Sequence, residues 1–218
     1  MEKVLENIAE RWNGHAGEYD AAHHGHNTEE DINMWKKVLR TNLGEEQNVE
    51  VLDVGAGTGF LTLLISELGY NCTGLDISEG MLEIAKQHAK EKNLNTKFLQ
   101  STVEKLPFKD NSIDIITNRS LMWTLLTPDT ILQEWNRALK PGGKLRCFIT
   151  IGNEKMQGNH YDQEIEDMLP LKNASKEMLT GVLSKAGFTN VEAVLLDGIK
   201  NTHGNKDWYV IKGTKATV

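Results

Sequence analysis

Residues 51–62 read VLDVGAGTGFLT, an apolar β-branched run followed by three glycines, Gly55, Gly57 and Gly59, within five positions. Glycine is costly inside a strand or helix, so a cluster of this kind belongs where backbone turns sharply or approaches something closely. The run before it predicts a strand over 49–54. The run after it predicts a helix whose apolar face uses Leu61, Leu64, Ile65 and Leu68 and which ends at Gly69.

The rest of the chain repeats the pattern. YNCTGLDI reads as a second strand, Ser78 caps a helix carrying Met81, Ile84, Ala85 and His88, TKFLQ is a third strand, and the almost wholly apolar IDIITN a fourth. Thr127 and Pro128 open a helix with Ile131, Trp135 and Leu139 on its apolar face, and KPGG stops it before the strand KLRCFITI. A helix from Ser175 to Ala186 precedes two strands, TNVEAVLLD and DWYVIKGT, with no helix between them. The fold class is therefore α/β: a Rossmann-like, doubly wound, mostly parallel seven-stranded sheet with one antiparallel strand. An N-terminal helical extension comes first, with a helix over 2–13, an irregular glycine- and histidine-rich stretch, and a second helix announced by Thr28 and Asp31.

At 218 residues, with 39% hydrophobic and 25% charged residues, the chain reads as one globular domain. Its segments are 1–45, an N-terminal helical lid; 46–151, the ligand-binding core; and 152–218, a lid connector, a helix and the closing strand pair. No apolar run has membrane-spanning length and the N-terminus is charged, so the expectation is a cytoplasmic protein without a membrane partner. Cys72 and Cys147 read as reduced core thiols. A formal charge of −7 and the absence of any Lys/Arg cluster larger than two adjacent residues argue against a nucleic-acid partner, and the state is expected to be a monomer or homodimer.

A glycine turn at a strand end can bring backbone N–H groups near an anionic ligand group. Asp76 closes the second strand 21 positions after Gly55, where a carboxylate can accept hydrogen bonds from both hydroxyls of a ribose. Turn and carboxylate together fit a dinucleotide or S-adenosylmethionine. Dinucleotide sites usually read G-x-G-x-x-G; here the order is G-A-G-T-G, and Asp53, two places before the first glycine, suits an ammonium and a sulfonium better than a pyrophosphate.

VLDVGAGTGFLT, GLDIS, the LPF of EKLPFKDNSIDIIT, and LKPGGKL, in that order, resemble the class I S-adenosylmethionine-dependent methyltransferases, particularly the small-molecule branch with the ubiquinone/menaquinone-type core, over residues 49–151. The resemblance implies that Gly55, Ala56, Gly57 and Gly59 lie against the methionine portion with Asp53 nearby, that Asp76 binds the ribose, and that Ile77 packs on the adenine. The family's usual acid before LPF is replaced here by Ser101, Thr102 and Val103, with Thr102 taking its place. Asn118, ending the fourth strand, would lie near the methyl group. The pattern from Trp12 to Asp20 resembles the family's entry segment, which makes Tyr19 a lid over the cofactor.

The activity implied is methyl transfer to a small molecule, with S-adenosylhomocysteine as product. Displacement at a sulfonium already carries a good leaving group, so no nucleophilic side chain is required, and no catalytic residue is assigned. Candidate acceptor residues are Trp12, His15, Arg119, Trp123, His160 and Tyr161, in segments expected to overhang the strand ends. The histidines His23, His24 and His26 have no recognised metal spacing, and no metal is expected. A tRNA or rRNA methyltransferase is an alternative, although Asn118-Arg119-Ser120-Leu121 lacks the N-P-P-Y-type tetrapeptide of base methylases. A non-catalytic S-adenosylmethionine-binding protein remains open, and an NAD-dependent oxidoreductase is disfavoured by the glycine spacing.

Overall fold

The computed structural model describes residues 2–23, 28–152, 161–199 and 207–217. These fall into two compact units, Met1–Val103 and Glu104–Val218. The division falls after the third strand, away from the segment boundaries drawn at 45/46 and 151/152.

The first unit holds α1 (Glu2–His23), α2 (Glu29–Leu43), β1 (Glu50–Val54), α3 (Phe60–Glu67), β2 (Asn71–Asp76), α4 (Glu79–Glu91) and β3 (Lys97–Gln100). β1 and β2 pair in parallel with Asp53 opposite Gly74, and β2 and β3 with Asp76 opposite Gln100. Val51 to Val54 are all buried, as a parallel strand covered on both faces requires. The Thr28–Asp31 signal is a complete capping box: the Thr28 hydroxyl accepts from Asp31 N–H, and the Asp31 carboxylate accepts from Thr28 N–H at 3.0 Å.

α1 differs from expectation by running on to His23 through the stretch expected to be irregular. Gly14 and Gly17 face open space, so neither is there to admit a neighbour. Ile8, Trp12, Ala16 and Tyr19 fall on one helical face, Ile8 and Ala16 are buried, and α1 packs on α4. That tertiary packing outweighs about 1 kcal/mol of helix propensity lost at each glycine.

The second unit holds β4 (Ile113–Arg119), a short 3-10 helix (Met122–Thr124), α5 (Pro128–Ala138), β5 (Leu139–Ile151), α6 (Gln163–Glu166), α7 (Lys176–Lys185), β6 (Phe188–Leu195) and β7 (Asp207–Lys215). β4 and β5 are parallel, while β7 is antiparallel to both β5 and β6. β5 starts at Leu139, earlier than expected, because KPGG bulges out between the pairs Ile113–Leu139 and Ile115–Lys144. Gly143 is required there, since a Cβ would stand 2.7 Å from the Lys140 carbonyl oxygen. Trp135 is fully buried on α5 with Ile131 and Leu132, the core role its spacing indicates.

Strand order is β3-β2-β1-β4-β5-β7-β6. In sheets of this kind ligands bind beyond the carboxyl ends of the strands, and the glycine turn leaves the carboxyl end of β1. The seven-stranded, mostly parallel α/β fold with an antiparallel member near one edge is as expected.

Candidate cofactor site

All three glycines of the turn leaving β1 adopt left-handed backbone: φ is +68° at Gly55, +54° at Gly57 and +89° at Gly59. Their surroundings differ. A Cβ on Gly59 would lie 3.0 Å from that of Ala85, so this position lets α3 begin tightly against α4. At Gly57 the nearest atom to such a Cβ is the Tyr19 ring edge at 3.8 Å, and Gly55 and Gly57 keep partly open faces. The Ala56 N–H donates to the Leu75 carbonyl at 2.9 Å, tying the turn to the end of β2.

Asp53 lies behind the turn, 1% exposed, and accepts the Thr62 hydroxyl at 2.6 Å. Ala56 is buried in the turn, and so is Thr58, which the sequence reading passed over. The Thr58 hydroxyl has no hydrogen-bond partner among the described residues. A buried orphan hydroxyl is expensive, and here it sits in a turn that fits a polar ligand. A threonine between two glycines carries no sequence signal that separates this role from a filler's.

Asp76 ends β2 with its carboxylate already oriented: Oδ2 accepts from the Gly57 N–H at 2.8 Å and Oδ1 from the Ser78 N–H at 2.9 Å. An ionised carboxylate has about four lone-pair sites, so capacity for two ribose hydroxyls remains. Burial pushes the Asp76 pKa up, against backbone N–H bonds, those of Ser78 and Gly57 foremost, that favour its charged form. Ile77 beside it is half-buried. The Ser101 N–H donates to the Asp76 carbonyl at 3.0 Å and the Gln100 amide to that of Ile77 at 3.3 Å. This lacing brings half-buried Thr102 and Val103 to the same end of β2.

The first unit therefore gathers Tyr19, Asp53, the turn, Asp76, Ile77, Thr102 and Val103. Trp12 packs edge-on against Tyr19 at 5.7 Å between ring centroids. His15 turns back on its own helix, with Nδ1 2.8 Å from the Arg11 carbonyl oxygen. Asn13 was also missed: its Oδ1 accepts from the Ser78 hydroxyl and the Gly80 N–H, partners 65 and 67 residues away.

In the second unit Asn118 is fully buried; its Nδ2 donates to Cys147 Sγ at 3.1 Å, and its Oδ1 has no partner among the described residues. Burial pushes the Cys147 thiol up to about 12, so it stays protonated. The Arg119 guanidinium lies over the Trp208 ring at 5.6 Å. Trp123 is half-buried and tilts against buried Tyr161 at 6.2 Å, and the Tyr161 N–H donates to the buried Glu166 carboxylate. His24, His26 and His160, with the side chain of His23, lie outside the described residues. Among the described residues no three His, Cys, Asp or Glu side chains gather as a metal ion would need.

Residues 52–147 match the family described as a methyltransferase domain. The chain is 35% identical to a ubiquinone/menaquinone biosynthesis C-methyltransferase UbiE of Shewanella sediminis, over 78% of this chain and 78% of that enzyme. The chain belongs to the class I S-adenosylmethionine-dependent methyltransferases. A ubiquinone biosynthesis O-methyltransferase of Nitrosococcus oceani is 33% identical over 65% of this chain, which spans 57% of that relative's length. A SAM-dependent methyltransferase structure from Aquifex aeolicus superposes with a TM-score of 0.67 at 24% identity, over 84% of this chain and 89% of that one. The [4+2]-cyclase SpnF reaches 0.68 at 20% identity, covering 84% and 80%, which shows that likeness at this level speaks for fold alone.

As a member of this family the chain is an S-adenosylmethionine-dependent methyltransferase. The donor set fits the cofactor: an oriented carboxylate for the ribose, an open glycine turn, and an orphan hydroxyl within it.

Proposed function

We propose that this methyltransferase transfers a methyl group to a planar, quinol-type ring, with its cofactor's ribose on Asp76 and the methionine tail along Gly55 to Gly57. The Asp76 carboxylate, held ready by two backbone N–H groups, carries the cofactor assignment. When bound, S-adenosylmethionine supplies an electrophilic methyl on a sulfonium leaving group. Tyr19 closes over the glycine turn and excludes water, while Asp53 provides the negative field an ammonium and a sulfonium prefer. Ile77, Thr102 and Val103 offer the adenine an apolar and hydroxyl-bearing edge. The quinol class is supported by the relatives' names and by the chemistry of Arg119, Trp123 and Tyr161 in the second unit, a cation and two rings. We further propose one methyltransferase domain working in the cytoplasm as a monomer or homodimer; the free, buried state of Cys72 and Cys147 agrees with a reducing compartment.

Calorimetry tests the cofactor first: S-adenosylhomocysteine should give heat and NADH none. Methyl-labelled S-adenosylmethionine is then offered with reduced demethylated quinones, simple catechols and short RNA. Label in the quinol or catechol supports the proposal, while label confined to RNA, or no transfer to any ring compound, overturns the acceptor class.

A further inference from the structure

We infer that Asn13 and Asp20 are positioning residues: they fasten α1 across the glycine turn on both sides of Tyr19 and, through Ser78, help set the carboxylate of Asp76. The inference rests on the cofactor reading above.

The Asn13 side chain receives two hydrogen bonds at the start of α4, from the Ser78 hydroxyl at 2.8 Å and the Gly80 N–H at 2.9 Å. A backbone N–H can only donate, so the amide's oxygen, not its nitrogen, faces α4. Ser78 joins three features. Its hydroxyl donates to Asn13 and accepts from the Met81 N–H at 3.1 Å, while its own N–H donates to Asp76 Oδ1 at 2.9 Å. The cap of α4, the first helix and the ribose-binding carboxylate thus share one residue.

Gly80 gives independent support. Its backbone has no positive φ, yet a Cβ there would stand 3.2 Å from both the Cα and the carbonyl oxygen of Asn13. Glycine at this position is explained by the close seating of α1. Two turns further along α1, both Asp20 oxygens lie 3.0 Å from His88 Nε2 on α4. Tyr19, next to Asp20, is the residue whose ring edge covers Gly57. Asn13 itself is exposed and the Asp20–His88 pair part-buried, and polar contacts of this kind add only modestly to global stability. The docking energy of α1 is carried by Ile8 and Ala16, so the two fasteners act on where Tyr19 and Asp76 sit.

The test uses the full chain and S-adenosylhomocysteine as probe, with Kd from calorimetry and release rate from stopped-flow displacement. Asn13→Leu, Asp20→Leu and Gly80→Ala should each speed release about tenfold with association unchanged, as loss of a closing contact does. Asn13→Asp keeps an acceptor oxygen facing Ser78 and Gly80 and should restore nearly normal release. Melting temperature and circular dichroism report whether each variant folds, and any one variant that fails is replaced by the other two. Wild-type release in Asn13→Leu and Gly80→Ala, or equal damage in Asn13→Asp and Asn13→Leu, overturns the inference. Asp76→Ala, run in parallel, separates the two readings: if it binds the probe normally the cofactor site is misplaced, whereas if it loses binding while the α1 variants release normally, only the fastening idea fails.

Discussion

Asp76 shows how one carboxylate is prepared before a ligand arrives. Its two backbone N–H bonds hold both oxygens in place. Asp76→Asn should weaken S-adenosylhomocysteine binding about a hundredfold or more, because hydrogen bonds to a charged acceptor are each worth about 1.5–3 kcal/mol; titration calorimetry reads the change. His15→Ala should leave affinity unchanged, since that ring bonds the Arg11 carbonyl of its own helix. The pH dependence follows from the upward shift. The ionised form is the one that accepts two hydroxyls, so affinity should fall as pH drops toward the raised Asp76 value, above the range where an ordinary aspartate near 3.9 would lose charge. Asp76→Asn should abolish that limb of the profile. For folding the sign is opposite: burying this group costs nothing extra while it is protonated in both states, and the penalty grows as pH rises from the unfolded value, about 3.9, and is complete above the raised folded value.

At the scale of elements, glycines with one chemistry have contrary roles. Gly59 sits at φ +89° with Ala85 at 3.0 Å from any added Cβ, so Gly59→Ala should cost about 2 kcal/mol or more, from left-handed strain plus overpacking. Gly14 and Gly17 lie within a helix and face open space, so alanine at either should stabilise α1, by up to about 1 kcal/mol each. Denaturant titration of the three variants checks both signs. The same contrast explains what was legible. The Thr28–Asp31 box, the Ser78 cap and the order of strands and helices depend on neighbours a few residues apart, and the pattern displays them directly. The length of α1 depends on α4, far along the chain, and a local reading stopped it at the first glycine. Asn13, Ser78 and Gly80 meet across more than sixty residues, and Thr58 differs from a neutral turn residue only in its missing partner. The spacing of G-A-G-T-G and the delayed Asp76 made the cofactor class readable, whereas the contacts of Trp123 with Tyr161 and of Arg119 with Trp208 form only in the folded second unit.

For the molecule as a whole, acid and ligand should move stability in separable ways. The Arg137 guanidinium holds the Glu134 carboxyl below its usual range, assisted by the Leu106 N–H at 2.8 Å. Burial would raise Glu67, but Lys36 and Lys92, each 2.6 Å away, outweigh it and hold it low as well. Depressed carboxyls contribute stability above their unfolded values, near 4.3, and lose it as pH falls through their folded values, so Glu134→Gln should flatten the acid side of the melting curve. Ligand linkage acts near neutrality instead. A ligand at a hundred times its Kd stabilises the native state by about 2.7 kcal/mol, and each kcal/mol moves the melting point of a chain this size by about 2–4 °C. S-adenosylhomocysteine at that ratio should therefore raise Tm by about 5–10 °C, in wild type and in Glu134→Gln alike. The same concentration should leave Asp76→Ala unmoved, and NADH should move neither, as read by differential scanning fluorimetry. A shift of equal size in Asp76→Ala would mean that the stabilising ligand sits elsewhere than at the end of β2.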